Sequence, residues 1–408
     1  MAAGPDAGSA APPSRPLAGV PAVRPLLASM LLLGSANSVL FAVGPPAGRL
    51  LGFREWQVGL VIAFSAAAYM VFAAIWGRVS DLRGRRYVLV IGMLGFGLGG
   101  LGFATVMDLG LAGVMAPSLV LVLMIAVRMA QSLVSAGAYP AAQAHIAENA
   151  QPERRAVALS AVTAAFALGS VLGPALAGLL VILWITLPLY VVAVLALGVA
   201  AWAAHGMERS QPRGGSEAAR LSPFDGRVAP WTVFSAIYFV SVAGTQQVLG
   251  FALQDRLGLD APATATMTSS VFMATGIVAV LFQFGVVRGS QWSARTMMVL
   301  GLAAAAVAQA GLLAADQSWH YLAVALPLGV SFTCVSPGFA AAASLAVGAR
   351  EQGAAAGLVS AAQAAGFLVG PVLFAFVYRG GAATPFAIGL AIALMLLLIV
   401  VRIRPSPP

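Results

Sequence analysis

The chain has 408 residues, of which 60% are apolar and only 9% are charged, and its net charge is +9. Soluble domains carry about 25% charged residues, so this composition excludes a water-soluble globule and predicts an integral membrane protein. The arginines are scattered over loops, an arrangement suited to an anionic lipid leaflet and not to a nucleic-acid groove. Cys334 is the only cysteine, which excludes an intrachain disulfide and a cysteine metal cluster.

The chain begins with residues 1–24, rich in proline, alanine and glycine, which predict a disordered cytoplasmic tail and not a cleaved signal peptide. A membrane-spanning helix needs about 20 apolar residues. Runs of that kind predict twelve spans, at 25–46, 57–77, 87–107, 115–142, 156–180, 183–203, 231–253, 264–287, 296–314, 319–344, 353–377 and 383–402. Helices are expected throughout, since an open strand edge in lipid leaves backbone groups unpaired.

The arginines are distributed unequally between the two sides of the membrane. Seventeen arginines lie on the side of the two termini, whereas the opposite side has Arg49, Arg54, Arg256 and Arg379. This bias predicts that both termini are cytoplasmic and face an anionic inner leaflet. The remaining arginine, Arg128, falls inside the fourth span, and the acidic residues all lie outside the spans or at their ends.

The polar segment 204–230 divides the chain into two six-span halves, 25–203 and 231–402, followed by a short cytoplasmic tail at 403–408. A Gly-x-x-x-Gly-Pro element occurs in the fifth span and again in the eleventh, at Gly169, Gly173 and Pro174 and at Gly366, Gly370 and Pro371. The repeat predicts an all-α fold of two pseudo-symmetric six-helix bundles. We expect these elements to form close, flexible contacts between the halves, with plain helix packing as the alternative.

The loop from Gly77 to Arg86 reads Gly-Arg-Val-Ser-Asp-Leu-Arg-Gly-Arg-Arg. It resembles the signature G-x-x-x-D-x-x-G-R-R that joins the second and third helices in the major facilitator superfamily. The resemblance implies a cytoplasmic gate in which arginines brace the outward-open state. The gate residues would be Gly77, Asp81, Gly84, Arg85 and Arg86. The alternative is that the arginines of this loop only orient the protein in the membrane.

Two further segments resemble motifs of the same superfamily. Residues 128–132 are similar to its fourth-helix R-x-x-Q-G motif, with Ser132 in place of glycine. Residues 169–178 are similar to a fifth-helix motif associated with antiporters, with Ala177 in place of a glycine. The chain therefore resembles the twelve-helix drug:proton antiporters, including tetracycline exporters. That resemblance implies a monomeric exporter in a bacterial inner membrane, working by alternating access, without enzymatic activity or a cofactor.

The chain departs from those antiporters in one respect. Many of them carry an acidic residue in the first helix, whereas the corresponding stretch here is Gly34-Ser35-Ala36-Asn37-Ser38 and no span holds a carboxylate. Protons are therefore only a possible coupling ion for transport. An importer or an uncoupled facilitator remains the alternative, and a membrane sensor or scaffold is a third possibility.

Several polar residues within spans could bind a small-molecule substrate. A charge at mid-bilayer costs at least about 2.5–3.5 kcal/mol, so Arg128 needs a partner or a function. Gln131, Ser132 and Ser135 share its helix face, and an anionic substrate group could pair with the guanidinium. The alternative is that Arg128 caps helix carbonyls and does not bind substrate. Other cavity candidates, each of which could equally make an interhelical hydrogen bond, are Asn37, Tyr238, Ser241, Thr245, Gln283 and Gln363.

Overall fold

The computed structural model describes residues 23–150, 155–207, 221–290, 292–348 and 351–403. Most of the predicted tails at 1–24 and 403–408 and part of the 204–230 linker lie outside these residues. The described helices are α1 (Val23–Leu50), α2 (Glu55–Arg83), α3 (Arg85–Leu111), α4 (Pro117–Ser135), α5 (Ala138–Asn149), α6 (Arg155–Leu180), α7 (Leu187–Gly206), α8 (Ala229–Leu257), α9 (Ala261–Phe282), α10 (Ala294–Ala314), α11 (Ser318–Leu345), α12 (Gln352–Val377) and α13 (Thr384–Arg402).

Taking α4 and α5 together, twelve of these segments are long and apolar enough to cross a membrane. The prediction of an all-helical fold with twelve spans is confirmed. We call the side that carries the start of α1 and the end of α13 the terminal side, and the opposite one the far side.

The fourth span differs from the prediction, because it is broken into α4 and α5 at residues 136–137. The break lies one turn before Pro140, whose ring would clash with the carbonyl of residue 136 in a continuous helix. Gly137 lets the turn pack closely, since a Cβ there would lie 2.7 Å from the Cβ of Trp76. The eighth span also departs from regular geometry, since the π-helical turn Gln283–Val287 extends α9.

The glycines of the two Gly-x-x-x-Gly-Pro elements pack inside their own halves. A Cβ on Gly169 would overlap the carbonyl oxygen of Leu31 in α1, so α6 and α1 touch backbone to backbone. A Cβ on Gly366 would lie 2.6 Å from the Cβ of Phe239, which brings α12 against α8 in the same way. The glycines therefore fix one helix pair within each bundle. The expected contacts between halves are made by other residues of the same segments: a Cβ on Gly276 of α9 would overlap Cγ2 of Val171, and a Cβ on Gly59 of α2 would lie 3.0 Å from the carbonyl oxygen of Pro371.

The halves meet on the far side. One hydrophobic core contains residues of both halves, including Phe41 and Val58 from one and Phe251 and Phe374 from the other. It is built on the far-side ends of the helices. Close approaches across the halves accompany it: a Cβ on Gly59 would lie 3.0 Å from the carbonyl oxygen of Pro371.

On the terminal side the cores are separate. One contains only residues of the first half, such as Leu26, Met93 and Ala203. Another contains only residues of the second half, such as Met298 and Leu396. The space between the two bundles is therefore closed at the far side and opens to the terminal side.

The residues that lead into α8 are tied to the start of α12 within the second half. Arg227 pairs with Asp225 at 2.8 Å and with Glu351 at 3.1 Å. Its hydrogen bonds lower the pKa of Asp225 to about 2 and also lower the pKa of Glu351. Both carboxylates therefore stay ionised throughout the physiological pH range, and this contact persists there.

Candidate functional site

The space between the halves ends in an aromatic roof. Phe41 of α1 and Phe367 of α12 belong to different halves, and their ring centroids lie 6.5 Å apart. Phe239 of α8 stands beside Phe367 with a centroid distance of 5.8 Å. The rings are tilted against one another by 49° and 44°, and Phe41 and Phe239 are buried, so a packed aromatic cluster closes the space between the halves with the partly exposed Phe367 at its surface.

Two amide side chains lie one helical turn below this roof. Asn37 precedes Phe41 by four residues, and Gln363 precedes Phe367 by four, so each amide shares a helix face with its phenylalanine. Asn37 is exposed although most of α1 around it is buried. Gln363 is partly buried and its Nε2 donates to Ser336 Oγ at 3.1 Å. Because each amide can donate and accept, the pair can bind complementary polar groups from opposite halves.

Arg128 and Gln131 point into the interior of the first half. Gln131 is 3% exposed, and its Nε2 donates to the carbonyl oxygen of Phe96 in α3 at 2.8 Å. Arg128 donates to Gln131 Oε1 and lies over the ring of Phe103, 5.7 Å from its centroid. The predicted polar stripe of α4 is thus a set of contacts within the bundle. Ser132, the third member of this face, bonds Ser65 of α2 at 2.7 Å, and Ser135 is buried.

Three of the remaining cavity candidates are buried inside the second half. Tyr238 bonds Ser331 of α11 at 2.8 Å. Thr245 accepts a hydrogen bond of 2.8 Å from Gln309 of α10, and Ser241 lies 3.4 Å from the same amide nitrogen. Gln283 is exposed at the terminal-side end of α9, in the π-helical turn. Asn37 and Gln363 are therefore the predicted residues that the structure places beneath the roof.

A charged cluster closes the far side, and sequence reasoning missed it. Arg49 at the end of α1 donates from Nη2 to Asp255 Oδ2 of α8 at 2.8 Å and to Glu55 Oε1 at 2.9 Å. Tyr378 donates to the same Asp255 oxygen at 2.6 Å. We call Arg49, Glu55, Asp255 and Tyr378 the far-side latch.

The far-side latch joins the two halves. In the described part of the chain, hydrogen bonds and an ion pair between Arg49 and Asp255 cross from one half to the other. The guanidinium also lies 5.1 Å from the ring centroid of Phe251. The sequence shows charged residues at the far-side ends of helices. Counting these charges predicts the topology but does not identify the residues with which they pair.

The loop of the predicted gate forms its contacts within the first half. Arg85 pairs with Asp81 at 2.7 Å and with Glu148 of α5 at 2.7 Å. Arg86 donates to the carbonyl oxygen of Ala204 in α7. Gly84 separates α2 from α3 with a φ of 91°, a conformation that favours glycine. Gly77 has open space where a Cβ would be.

We expect Asp81→Ala to reduce transport several-fold while the amount of protein in the membrane stays the same. The pair with Arg85 is half-exposed and worth about 0–1 kcal/mol, so stability should hardly change. Transport should fall because Arg85 keeps only Glu148 as a partner. The measurement is the transport rate in proteoliposomes normalised to protein content. Asp316→Ala, which removes a far-side surface carboxylate, is the control, and an unchanged rate in Asp81→Ala would refute a gating role.

Two six-helix bundles that share a core on one side of the membrane and have separate cores on the other are the architecture of a membrane transporter. The sequence profile of the Major Facilitator Superfamily matches residues 26–292, more than half of the chain, and the chain belongs to that family. It is therefore a transporter and not an enzyme.

Solved structures of transporters share the fold. The nucleoside transporter NupG matches with a TM-score of 0.77 at 14% identity, over 94% of this chain and 99% of the other. A D-xylose-proton symporter matches with a TM-score of 0.75 at 15% identity, over 94% and 98%. The human organic anion transporter MFSD10 matches with a TM-score of 0.67 at 17% identity, over 96% and 100%. These identities establish the fold alone, and comparison with curated proteins gives no match.

Proposed function

We propose that the protein exports a small, drug-like organic molecule across a bacterial inner membrane by alternating access. The observation that carries the proposal is that the halves have separate cores on the arginine-rich terminal side and share one on the far side, where Phe41 and Phe367 meet. The charge bias makes the terminal side cytoplasmic, so the cavity would load from the cytoplasm. Release would follow once the far-side latch separates.

The proposed substrate carries a planar apolar group and neutral hydrogen-bonding groups. The partly exposed Phe367, backed by the buried Phe41, supplies an aromatic ring, and the amides of Asn37 and Gln363 supply donors and acceptors. An anionic metabolite is less well supported, because the guanidinium of Arg128 contacts Gln131 and Phe103 inside the first half. The geometry thus favours the drug-like alternative over the anionic one.

Export by proton antiport is the proposed coupling, supported by the antiporter-like sequence from Gly169 to Gly178. The second candidate is an uncoupled facilitator. It is favoured by the placement of the carboxylates, since Asp81, Asp108 and Asp255 all lie near the ends of their helices and none lies beside the roof.

Transport of tetracycline into proteoliposomes with an acidic lumen tests the proposed coupling. Antiport predicts accumulation above the external concentration, and collapse of the pH gradient by an ionophore should release the accumulated compound. Equilibration to the external concentration at the same rate with and without the gradient would identify a facilitator. The absence of any protein-dependent movement, for tetracycline and for a panel of planar neutral compounds, would contradict the proposed substrate class.

Substitutions beneath the roof should weaken substrate binding. Each hydrogen bond is worth about 1 kcal/mol, so Asn37→Ala and Gln363→Ala should each raise KM about five-fold. The double variant should raise it more than ten-fold, measured as the concentration dependence of initial transport rates. Gln352→Ala, an exposed glutamine at the terminal-side start of α12, should leave KM unchanged. Equal KM values in the wild type and in all four variants would show that these amides do not bind the substrate.

A further inference from the structure

The charge of Arg128 lacks a counter-charge in the described part of the chain. None of the ion pairs between described residues includes Arg128, and its buried Nε has no hydrogen-bond partner. Its contacts with Gln131 and Phe103 are with neutral groups. Arginine stays protonated in proteins, and a buried charge is normally paired. This site therefore carries an uncompensated positive charge within the bundle.

A small cavity lies beside this guanidinium. Its volume is about 30 Å³, and its walls are mostly apolar, with Ala36 and Leu40 from α1 and Phe96, Gly100 and Phe103 from α3. This volume is the space open to the centre of a water-sized sphere, and about 10–15 Å³ of such space is enough for one water molecule. The cavity therefore has room for one or two particles of water size and is too small for an organic substrate.

Arg128 is also not sealed off, because its side chain is only partly buried while its Nε is fully covered. The cavity is therefore not fully enclosed. The polar groups around the cavity are the guanidinium and the amide of Gln131.

We infer that Arg128 holds a small inorganic anion, chloride, in this cavity. The anion neutralises the guanidinium inside the first half. A carboxylate of the substrate has the same charge, but the cavity lies between α1, α3, α4 and α7 of one bundle and accommodates only a compact ion. This inference does not depend on the proposed substrate or direction of transport.

The thermal unfolding of the purified full-length protein tests this site. At constant ionic strength, sodium chloride in place of sodium gluconate should raise the unfolding midpoint saturably, by about 2–4 °C, and bromide should act similarly. Arg128→Gln should abolish the dependence on chloride. Arg379→Gln, which removes an exposed far-side arginine, should retain it.

A second measurement covers the case in which Arg128→Gln does not fold. The ³⁵Cl NMR line of a chloride solution should broaden in the presence of the wild-type protein and narrow again when bromide is added. A wild-type protein without any chloride response overturns the inference, as does a variant with the wild-type response. A larger stabilisation by acetate than by chloride also overturns it and assigns the site to a carboxylate.

Discussion

Gly169→Ala should prevent the protein from reaching a stable folded state. The added Cβ would overlap the carbonyl oxygen of Leu31, which is backbone and cannot rotate away. The helices would have to separate, which would also strain the bond from Ser35 Oγ to the Gly169 carbonyl, 3.0 Å long. Overpacking of this kind typically costs about 1–3 kcal/mol, and more where only backbone can yield. The yield of monodisperse protein and its unfolding midpoint in detergent measure the effect.

The control is Gly357→Ala in α12, where a Cβ would meet nothing within 4 Å. Alanine is the better helix former by about 1 kcal/mol, so this variant should be as stable as the wild type or slightly more so. If Gly169→Ala were as stable as Gly357→Ala, the close approach of α6 to α1 would be wrong.

Asp255→Asn should open the far side. The carboxylate accepts hydrogen bonds from both terminal nitrogens of Arg49, and this pair connects the two halves. The pair is partly exposed, which screens it, so its loss should cost the closed state about 1–2 kcal/mol. That shift corresponds to a change of about five-fold to thirty-fold in the population of the far-side-open state.

The reactivity of a buried far-side position reports this change. Ser269 is 2% exposed between the halves, so Ser269→Cys in a Cys334→Ser background should react slowly with an impermeant maleimide added on the far side. Asp255→Asn and Arg49→Gln should each accelerate the reaction several-fold. Asp316→Asn, a surface carboxylate of the second half, should not. Equal rates in all these proteins would mean that the far-side latch does not hold the halves together.

The long apolar runs predicted the fold well, because membrane-spanning helices must satisfy their backbone hydrogen bonds internally. The break at residues 136–137 was also visible in principle, since Pro140 cannot continue the preceding helix without a clash. The rotation of α4 about its own axis could not be predicted from the sequence. A turn of 100° per residue decides whether Arg128 faces the central cavity or the bundle interior, and the sequence pattern around Arg128 is compatible with either.

The far-side latch could not be derived from the sequence either, because Arg49 and Asp255 lie 206 residues apart and meet only through the packing of two bundles. For the Gly-x-x-x-Gly-Pro elements, the sequence predicted the kind of contact but not the contacting helix. Their small residues predicted a close backbone approach, which the structure has, but small residues do not specify the partner helix. Similarly, Asn37 was visible as a polar residue in a span, whereas the roof of Phe41 and Phe367 above it required knowing which side chains of the two halves meet.

A disulfide across the far side tests alternating access most directly. A Cβ on Gly178 would lie 3.4 Å from the Cβ of Ser269, so cysteines at these positions of α6 and α9 can bridge the two halves. The matched control joins Gly48 to Val58, whose Cβ atoms would be 3.7 Å apart on the same side but within one half.

Both cysteine pairs are placed in the Cys334→Ser background and assayed in proteoliposomes before oxidation, after oxidation and after reduction. Our account predicts that oxidation of the Gly178→Cys/Ser269→Cys protein abolishes substrate transport and that reduction restores it, while the Gly48→Cys/Val58→Cys protein transports normally throughout. Undiminished transport by the fully oxidised protein with the bridge between the halves would contradict it.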